Sequence, residues 1–241
     1  MCKLGVNIDH IATLRNARGE NHPNLIQAVR VLEECNVDSI TMHLREDRRH
    51  IMDEDLFLIK KETNLPINLE IAPTLEMVNI AKKLKPRSIC FVPEKREEIT
   101  TEGGLDVVSN FKKIKNLLNY FKTTDINIAF FIEPSKKQID ALVDLNIKFI
   151  EFHTGAYALS KSKKILKENL ISLSNSVEYA SNLGITCHAG HGLNFDNVSA
   201  VARIPNIKEL NIGHFIIADS IFNGLRTSVL TMKSKMVEIS K

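Results

Sequence analysis

An eightfold alternation constrains this chain more than any other feature of its sequence. Apolar runs of strand length recur at 4–9, 39–43, 67–72, 88–92, 126–132, 148–153, 185–189 and 209–213. Segments with helical periodicity lie between and after them, at 25–34, 54–62, 75–84, 107–121, 136–144, 162–183, 195–202 and 215–239. Eight βα units within 241 residues, without a linker or a shift in composition, predict an α/β fold: one parallel (β/α)8 TIM barrel as a single domain over 1–241. A doubly wound open sheet is the main rival. Its usual dinucleotide-binding form lacks support, because no G-x-G-x-x-G follows the first strand.

Side chains alternate across a strand, so each run divides into two rows. One row is oily: Val6 and Ile8, Ile40 and Met42, Ile67, Leu69 and Ile71, and so on to Leu210 and Ile212. The other holds Asn7 and Asp9, Thr41 and His43, Asn68 and Glu70, Ser88 and Cys90, Glu151 and His153, Thr186 and His188, and Asn211 and Gly213. Barrel interiors are usually filled by branched aliphatics, and a polar interior costs desolvation energy unless its members are paired or line a ligand cavity. The carboxylates and imidazoles fall mostly at the C-terminal ends of the runs, where barrel enzymes place their chemistry.

Composition narrows the partners. Net charge is only +3, with Lys and Arg interspersed among Asp and Glu, which argues against nucleic acid or an anionic membrane surface as partner. Four cysteines, Cys2, Cys35, Cys90 and Cys187, have neither metal-ligand nor disulfide-framework spacing, which suits a reducing compartment. The N-terminus has no apolar signal core and no run is long enough to span a bilayer, so a cytoplasmic protein is expected.

Six clusters carry candidate chemistry. Asn7, Asp9, His10, Arg15 and Arg18 gather where the first strand ends, although a strand-end Asp can equally cap the next segment. His43 ends the second strand, followed by Arg45, Arg48, Arg49 and His50; arginine forks suit phosphate oxygens, while Glu46 and Asp47 supply salt-bridge partners for Arg48 or Arg49. Glu70, between apolar neighbours, is a carboxyl whose pKa burial would raise towards that of a general acid or base, with a structural ion pair as the alternative. The stretch Val92-Pro-Glu-Lys-Arg96 and Thr100-Thr-Glu-Gly-Gly104 suits a lid as well as a flexible turn. Glu151 and His153 share the inward row of the sixth strand, either as a hydrogen-bonded pair or with Glu151 orienting a cationic intermediate. Ala189-Gly-His-Gly192 and Asn211-Ile-Gly-His214 each precede a helical start, the usual phosphate cradle of such barrels, and His191 between glycines suits a general acid. The converging His43, Glu70, Glu151, His191 and His214 could hold a metal, but the sequence lacks H-E-x-x-H or a His-x-His pair on the first strand, and the arginines would repel a cation. No metal is expected.

The motifs Gly5-Val-Asn-Ile-Asp-His-Ile-Ala-Thr-Leu-Arg-Asn-Ala-Arg-Gly19, His43-Leu-Arg-Glu-Asp-Arg-Arg-His50, Val92-Pro-Glu-Lys-Arg96, Thr100-Thr-Glu-Gly-Gly104, Ala189-Gly-His-Gly192 and Glu209-Leu-Asn-Ile-Gly-His214 together resemble the pyridoxine 5'-phosphate synthase family almost end to end. That resemblance implies a transferase-type, ring-closing step of vitamin B6 biosynthesis. It condenses 1-deoxy-D-xylulose 5-phosphate with 3-amino-2-oxopropyl phosphate to pyridoxine 5'-phosphate, phosphate and water, without cofactor or metal. It implies His43 and Glu70 as bases, His191 as acid and Glu151 as stabiliser of the intermediate. By the same resemblance Asn7, Arg18, Gly192, Gly213 and His214 hold the aminoketone phosphate, and Asp9, His10, Arg45, His50 and Thr100 hold the deoxyxylulose phosphate. It also implies short helices beyond the basic barrel and a homo-octamer built as a tetramer of dimers. The sequence departs from the family pattern at Ala218-Asp219, where Gly-Arg is expected, and at His188, where Asn is expected. The alternative functions are a metal-dependent barrel hydrolase or aldolase, and a non-catalytic sensor of phosphorylated metabolites.

Overall fold

A computed structural model describes residues 2–94 and 103–238. Lys95, Arg96, Thr100, Thr101 and Glu102 of the stretch after the fourth strand therefore lie outside the described residues. Eight parallel strands close into a barrel in chain order: β1 Lys3–Asn7, β2 Ser39–Leu44, β3 Ile67–Ile71, β4 Ser88–Phe91, β5 Asn127–Ile132, β6 Phe149–His153, β7 Thr186–Gly190 and β8 Ile207–Ile212. β8 pairs back onto β1 through Lys3–Glu209 to Val6–Ile212, so no sheet edge is left open, and the open-sheet rival is excluded.

The helices are α1 Asp9–Arg18, α2 Leu25–Glu34, α3 Asp53–Glu62, α4 Leu75–Leu84, α5 Phe111–Leu118, α6 Lys136–Asp144, α7 Gly155–Ala158, α8 Lys163–Asn182, α9 Val198–Ala202, α10 His214–Asn223 and α11 Leu225–Val237. Local chemistry sets their starts. Asn24, Thr74 and Ser162 each accept the backbone N–H three residues on, which satisfies a donor that has no partner within the helix. α1 stops at Gly19, whose φ of 74° closes it with a left-handed cap. α1 and the four-residue α7 are short helices beyond the basic barrel, as the resemblance implies.

Three helical spans differ from expectation. The segment 107–121 begins its helix only at Phe111, because the backbone N–H groups of Val107 and Val108 are both taken by the Gln138 side chain. The segment 195–202 begins only at Val198, because Asn194 Oδ1 accepts from Asp196 and Asn197 and holds a turn there. The segment 215–239 is broken at Gly224, whose φ of 80° and ψ of 144° no helix accommodates.

The two rows fall where alternation places them. Val6, Ile40, Met42, Leu69, Ile71, Ile89, Phe130, Ile132, Ile150, Phe152 and Leu210 are fully buried outside the strands, packed against the apolar faces of the helices. At roughly 1.5–3 kcal/mol for each large apolar side chain, this annulus is the main source of stability. Inside the barrel, the apolar cluster among the described residues is small, Cys90, Val92 and Ala129 with Phe131 and Phe149 against them. The rest of the lumen is polar.

Candidate active site

The lumen is satisfied by its own side chains. Ser88 Oγ donates to Asn68 Oδ1 (3.0 Å), Asn68 Nδ2 to Thr41 Oγ1 (3.5 Å), Thr41 Oγ1 to Asn211 Oδ1 (3.1 Å), and Asn211 Nδ2 to Glu151 Oε2 (2.6 Å). Below this chain, Ser39 donates to Glu209 at 2.6 Å. Burying so many polar groups is tolerable because each finds a partner. Gly190 on β7 permits the crowding: a Cβ there would lie 2.7 Å from Glu151 Oε1 and 2.6 Å from the Asn211 carbonyl oxygen.

Above the lumen, at the C-terminal strand ends, a cavity of about 980 Å³ opens. Of the residues singled out by sequence, Asn7, Asp9, His10, His43, His50, Glu70, Glu151, His191, Gly192, Gly213 and His214 line it together. Arg45 and Arg18 are not among its lining residues. Arg45 is half-buried and hydrogen-bonded to Asp47, and Arg18 is 78% exposed and paired with Glu20. Thr100 lies outside the described residues. Arg48 and Arg49 take the salt-bridged role, Arg48 with Asp53 and Glu76, Arg49 with Asp47.

Asp9 does not cap its own helix. Its Oδ1 accepts the backbone N–H of His43 (2.8 Å) and its Oδ2 accepts from Asn7 Nδ2 (2.9 Å), so the junction of β1 and α1 holds the end of β2 in place. His43 pairs in register with Glu70 on β3, and its Nδ1 stands 3.8 Å from Glu70 Oε2. Its Nε2 meets Glu94 Oε1 at 2.9 Å. Burial, with Glu151 and Asp9 adding negative charge nearby, pushes the Glu70 carboxyl well above the ordinary range. Burial also lifts Glu151 to about 7, opposed by the Asn211 hydrogen bond and reinforced by Glu209. Burial raises Asp9 too, against the pull of His43, the His43 N–H, Asn7 and Arg45. Two carboxyl groups raised above their ordinary range in one cavity, Glu151 to about 7, are what a sequence of proton transfers needs. Asp9, His43 and Glu70 also bring one ligand-capable atom each within 4.8 Å of one another, the grouping a metal-dependent reading would use.

The imidazoles occupy the strand exits. His191 follows β7 with φ of 84°, and Gly192 follows with φ of 77°. The Thr154 hydroxyl holds this strained turn through the carbonyl oxygens of Gly190 (2.7 Å) and His191 (2.5 Å). The His191 ring packs edge-on to His153 with centroids 4.8 Å apart, and its pKa is lowered by burial and by His153 and His214, against the pull of Glu133. His10 packs against His214 (4.7 Å) and His50 (5.5 Å). Burial depresses both His10 and His50, His50 to about 4 with His10, His43, Arg45 and Arg49 adding positive charge around it. α10 starts at His214, so its first turn opens on the cavity through Gly213, His214 and Phe215, with an amide terminus suited to anions.

Sequence reasoning missed Glu133 and Phe131, and placed Glu94 only in a lid or turn rather than against His43. Glu94 and Glu133 lie beyond the ends of β4 and β5, where alternation no longer assigns a face. Glu133 Oε1 takes both His153 Nδ1 (2.6 Å) and the Gly104 N–H (2.8 Å), so the partner of His153 is Glu133, while Glu151 bonds Asn211. Phe131, inward on β5, lines the cavity beside both histidines. Neither departure from the family motif lines the cavity, although His188 on β7 is the in-register neighbour of Glu151 on β6. Asp219 bonds Ser228 and Asn223, tying α10 to α11, and His188 is lowered by burial in the lumen, with Glu209 raising and Lys3 lowering it.

Fold and site define the class: a (β/α)8-barrel enzyme whose cavity is organised for acid–base chemistry. Residues 4–238 match the family model described as "Pyridoxal phosphate biosynthesis protein PdxJ", and the chain belongs to that family. It is 50% identical over 242 residues to a "Pyridoxine 5'-phosphate synthase" from Sulfurihydrogenibium sp. (strain YO3AOP1), covering 99% of each chain. It is 49% identical over 236 residues to the protein of that name from Wolbachia sp. subsp. Drosophila simulans (strain wRi), covering 97% of this chain and 99% of the relative. Among solved structures it is similar in fold to a 4-hydroxy-2-oxoglutarate aldolase/2-deydro-3-deoxyphosphogluconate aldolase from TTHB1. There the TM-score is 0.62 and the identity 13%, over 97% of this chain and 93% of that one. It is also similar to KGPDC from Streptococcus mutans, with a TM-score of 0.58 and 11% identity over 98% and 97%. At those identities the likeness is one of fold.

Proposed function

We propose that this chain is a pyridoxine 5'-phosphate synthase, condensing 1-deoxy-D-xylulose 5-phosphate with 3-amino-2-oxopropyl phosphate to pyridoxine 5'-phosphate, phosphate and water. The observation that carries the assignment of roles is the placement of His43 beside Glu70, with Glu151 also lifted towards neutrality, in one cavity. Joining an amine to a ketone, expelling phosphate and water, closing the ring and aromatising it each require protons to leave carbon or nitrogen and reach oxygen. His43 and Glu70 remove protons, His191 delivers them to departing oxygen, and Glu151, anchored by Asn211, faces positive charge that develops on the intermediate. Asn7, Gly192, Gly213 and His214, with the α10 terminus, form a cradle for the aminoketone phosphate. Asp9, His10 and His50 line the side assigned to the deoxyxylulose phosphate. Arg18, Arg45 and Thr100 are assigned to the two phosphates by resemblance to the family. Phosphate would bring Arg45 to bear by exchanging with Asp47.

Assembly into an octamer is part of the same reading, supported by the exposed apolar side chains of Phe222 (87% exposed) and Ile221 (68% exposed) near the C-terminal end of α10. No described helix is long and apolar enough to cross a membrane, and a cytoplasmic location belongs to the proposal. Incubating the purified protein with both substrates should yield pyridoxine 5'-phosphate and free phosphate in equal amounts. Saturable binding without phosphate release would favour a sensor. Loss of turnover on chelation, restored by added metal, would favour the metal-dependent class.

A further inference from the structure

We infer that Glu94 is a positioning residue for His43, dictating which ring nitrogen carries the proton; the inference deepens the synthase reading and rests on it. Glu94 stands three residues past the end of β4, and its side chain, 4% exposed, reaches across to β2. Its two oxygens have separate duties. Oε1 meets His43 Nε2 at 2.9 Å, and Oε2 accepts the Glu46 backbone N–H at 2.9 Å. A carboxylate only accepts, so the His43 nitrogen facing it must be the protonated one. Nδ1 is then left with its lone pair, on the side of Glu70. The Asp9 carboxylate fixes the same residue from its backbone N–H, so both ends of His43 are tied to acceptors that cannot donate.

The consequence for the reaction is a defined direction. A proton leaving substrate carbon or nitrogen lands on Nδ1, and the imidazolium so formed keeps its Nε2–H on Glu94, whose charge stabilises it. The proton then leaves from Nδ1, the same atom that received it, and no net charge remains on the ring. Glu94 neither touches substrate nor exchanges a proton in this account.

The amide isostere gives a sharp test. In Glu94→Gln, only one of the two terminal atoms can accept. The Glu46 N–H requires an acceptor, so the amide oxygen turns to it and the amide NH2 faces His43. The ring must then accept at Nε2 and carry its proton on Nδ1, which removes the lone pair the reaction uses. We expect kcat to fall about 10²–10³-fold in Glu94→Gln with KM for both substrates within about threefold, and Glu94→Asp to recover part of the loss. Long-range ¹H–¹⁵N spectra of histidine-labelled protein, taken at alkaline pH and assigned with His43→Gln, should show the Nε2–H tautomer in the unsubstituted enzyme and the Nδ1–H tautomer in Glu94→Gln. An Nδ1–H tautomer in the unsubstituted enzyme overturns the assignment even if every Glu94 variant misfolds. A folded Glu94→Gln with full turnover overturns it as well. Unsubstituted protein that makes no pyridoxine 5'-phosphate but shows the Nε2–H tautomer upholds the orientation of His43 and overturns the synthase reading alone.

Discussion

The carboxyl groups and the imidazoles of the cavity are held in different ways. Glu70 and Glu151 are on the strands themselves, one on β3 and one on β6, where the closed barrel buries them. His10, His50, His191 and His214 are on the turns and helix starts beyond the strands. In each set, burial and neighbours of like charge work against the ionised form, with opposite results. The carboxyls are pushed up and His10, His50 and His191 are pushed down, so in both sets the uncharged form is favoured. The site obtains its acids and bases by crowding like with like, with the strands setting one crowd and the exits the other.

Removing one member of each set tests the contrast. The largest effect is expected from Glu70→Gln, which keeps the shape and loses the proton acceptor: kcat should fall about 10³–10⁴-fold with KM changed little, measured by release of phosphate and pyridoxine 5'-phosphate. Unchanged turnover would remove Glu70 from the chemistry. Next comes His191→Asn, chosen because asparagine tolerates the left-handed backbone at φ of 84° better than most residues. A loss of about 10²-fold in kcat is expected, with the far-ultraviolet circular dichroism intact; a loss no greater than threefold would confine His191 to binding.

Glu151→Gln separates stability from activity. A carboxyl raised to about 7 contributes stability below the unfolded value near 4.5, and that contribution is lost as pH rises through 7. The variant lacks this term, so it should gain on the parent enzyme between pH 5 and pH 8, by about 1–3 kcal/mol or several degrees in Tm, while turning over more slowly. An equal Tm difference at both pH values would show that Glu151 is not held protonated. The smallest effect concerns the imidazole set. His50, near 4 in the free protein, should gain affinity for protons when a phosphate dianion neutralises the surrounding cations. Calorimetry of deoxyxylulose phosphate binding near pH 6.5, in two buffers of different ionisation enthalpy, should therefore report uptake of a fraction of a proton. Uptake of none would break the symmetry drawn between the two sets.

Much of this was legible in the residue order because the barrel repeats one rule. Alternation with period two assigned Glu70, Glu151 and His43 to the lumen, and Leu69, Ile150 and Met42 to the annulus, before any contact was known. The rule ends where strands end. Glu94 and Glu133 are beyond that point, and nothing local distinguishes them from the solvated acids of other loops; their partners His43 and His153 are 51 and 20 residues away. Arg18 illustrates the same limit from the other side, since family resemblance places it at a phosphate while its own neighbour Glu20 engages it in this structure. Helix breaks were missed for a related reason. Gly224 sits inside an otherwise continuous helical pattern, and only its backbone angles show where the direction changes.

The hydrogen-bond chain through the lumen has a polarity. From Ser88 through Asn68, Thr41 and Asn211, every donor points towards Glu151 Oε2, and the first to the last cross four strands. Each amide that gives its NH2 in one direction must present its oxygen in the other, so no member can turn without obliging the next to turn. The row therefore behaves as an aligned array of dipoles with two collective orientations, of which one suits an acceptor at its end. Whether Oε2 on β6 can accept is in this way registered at a serine on β4.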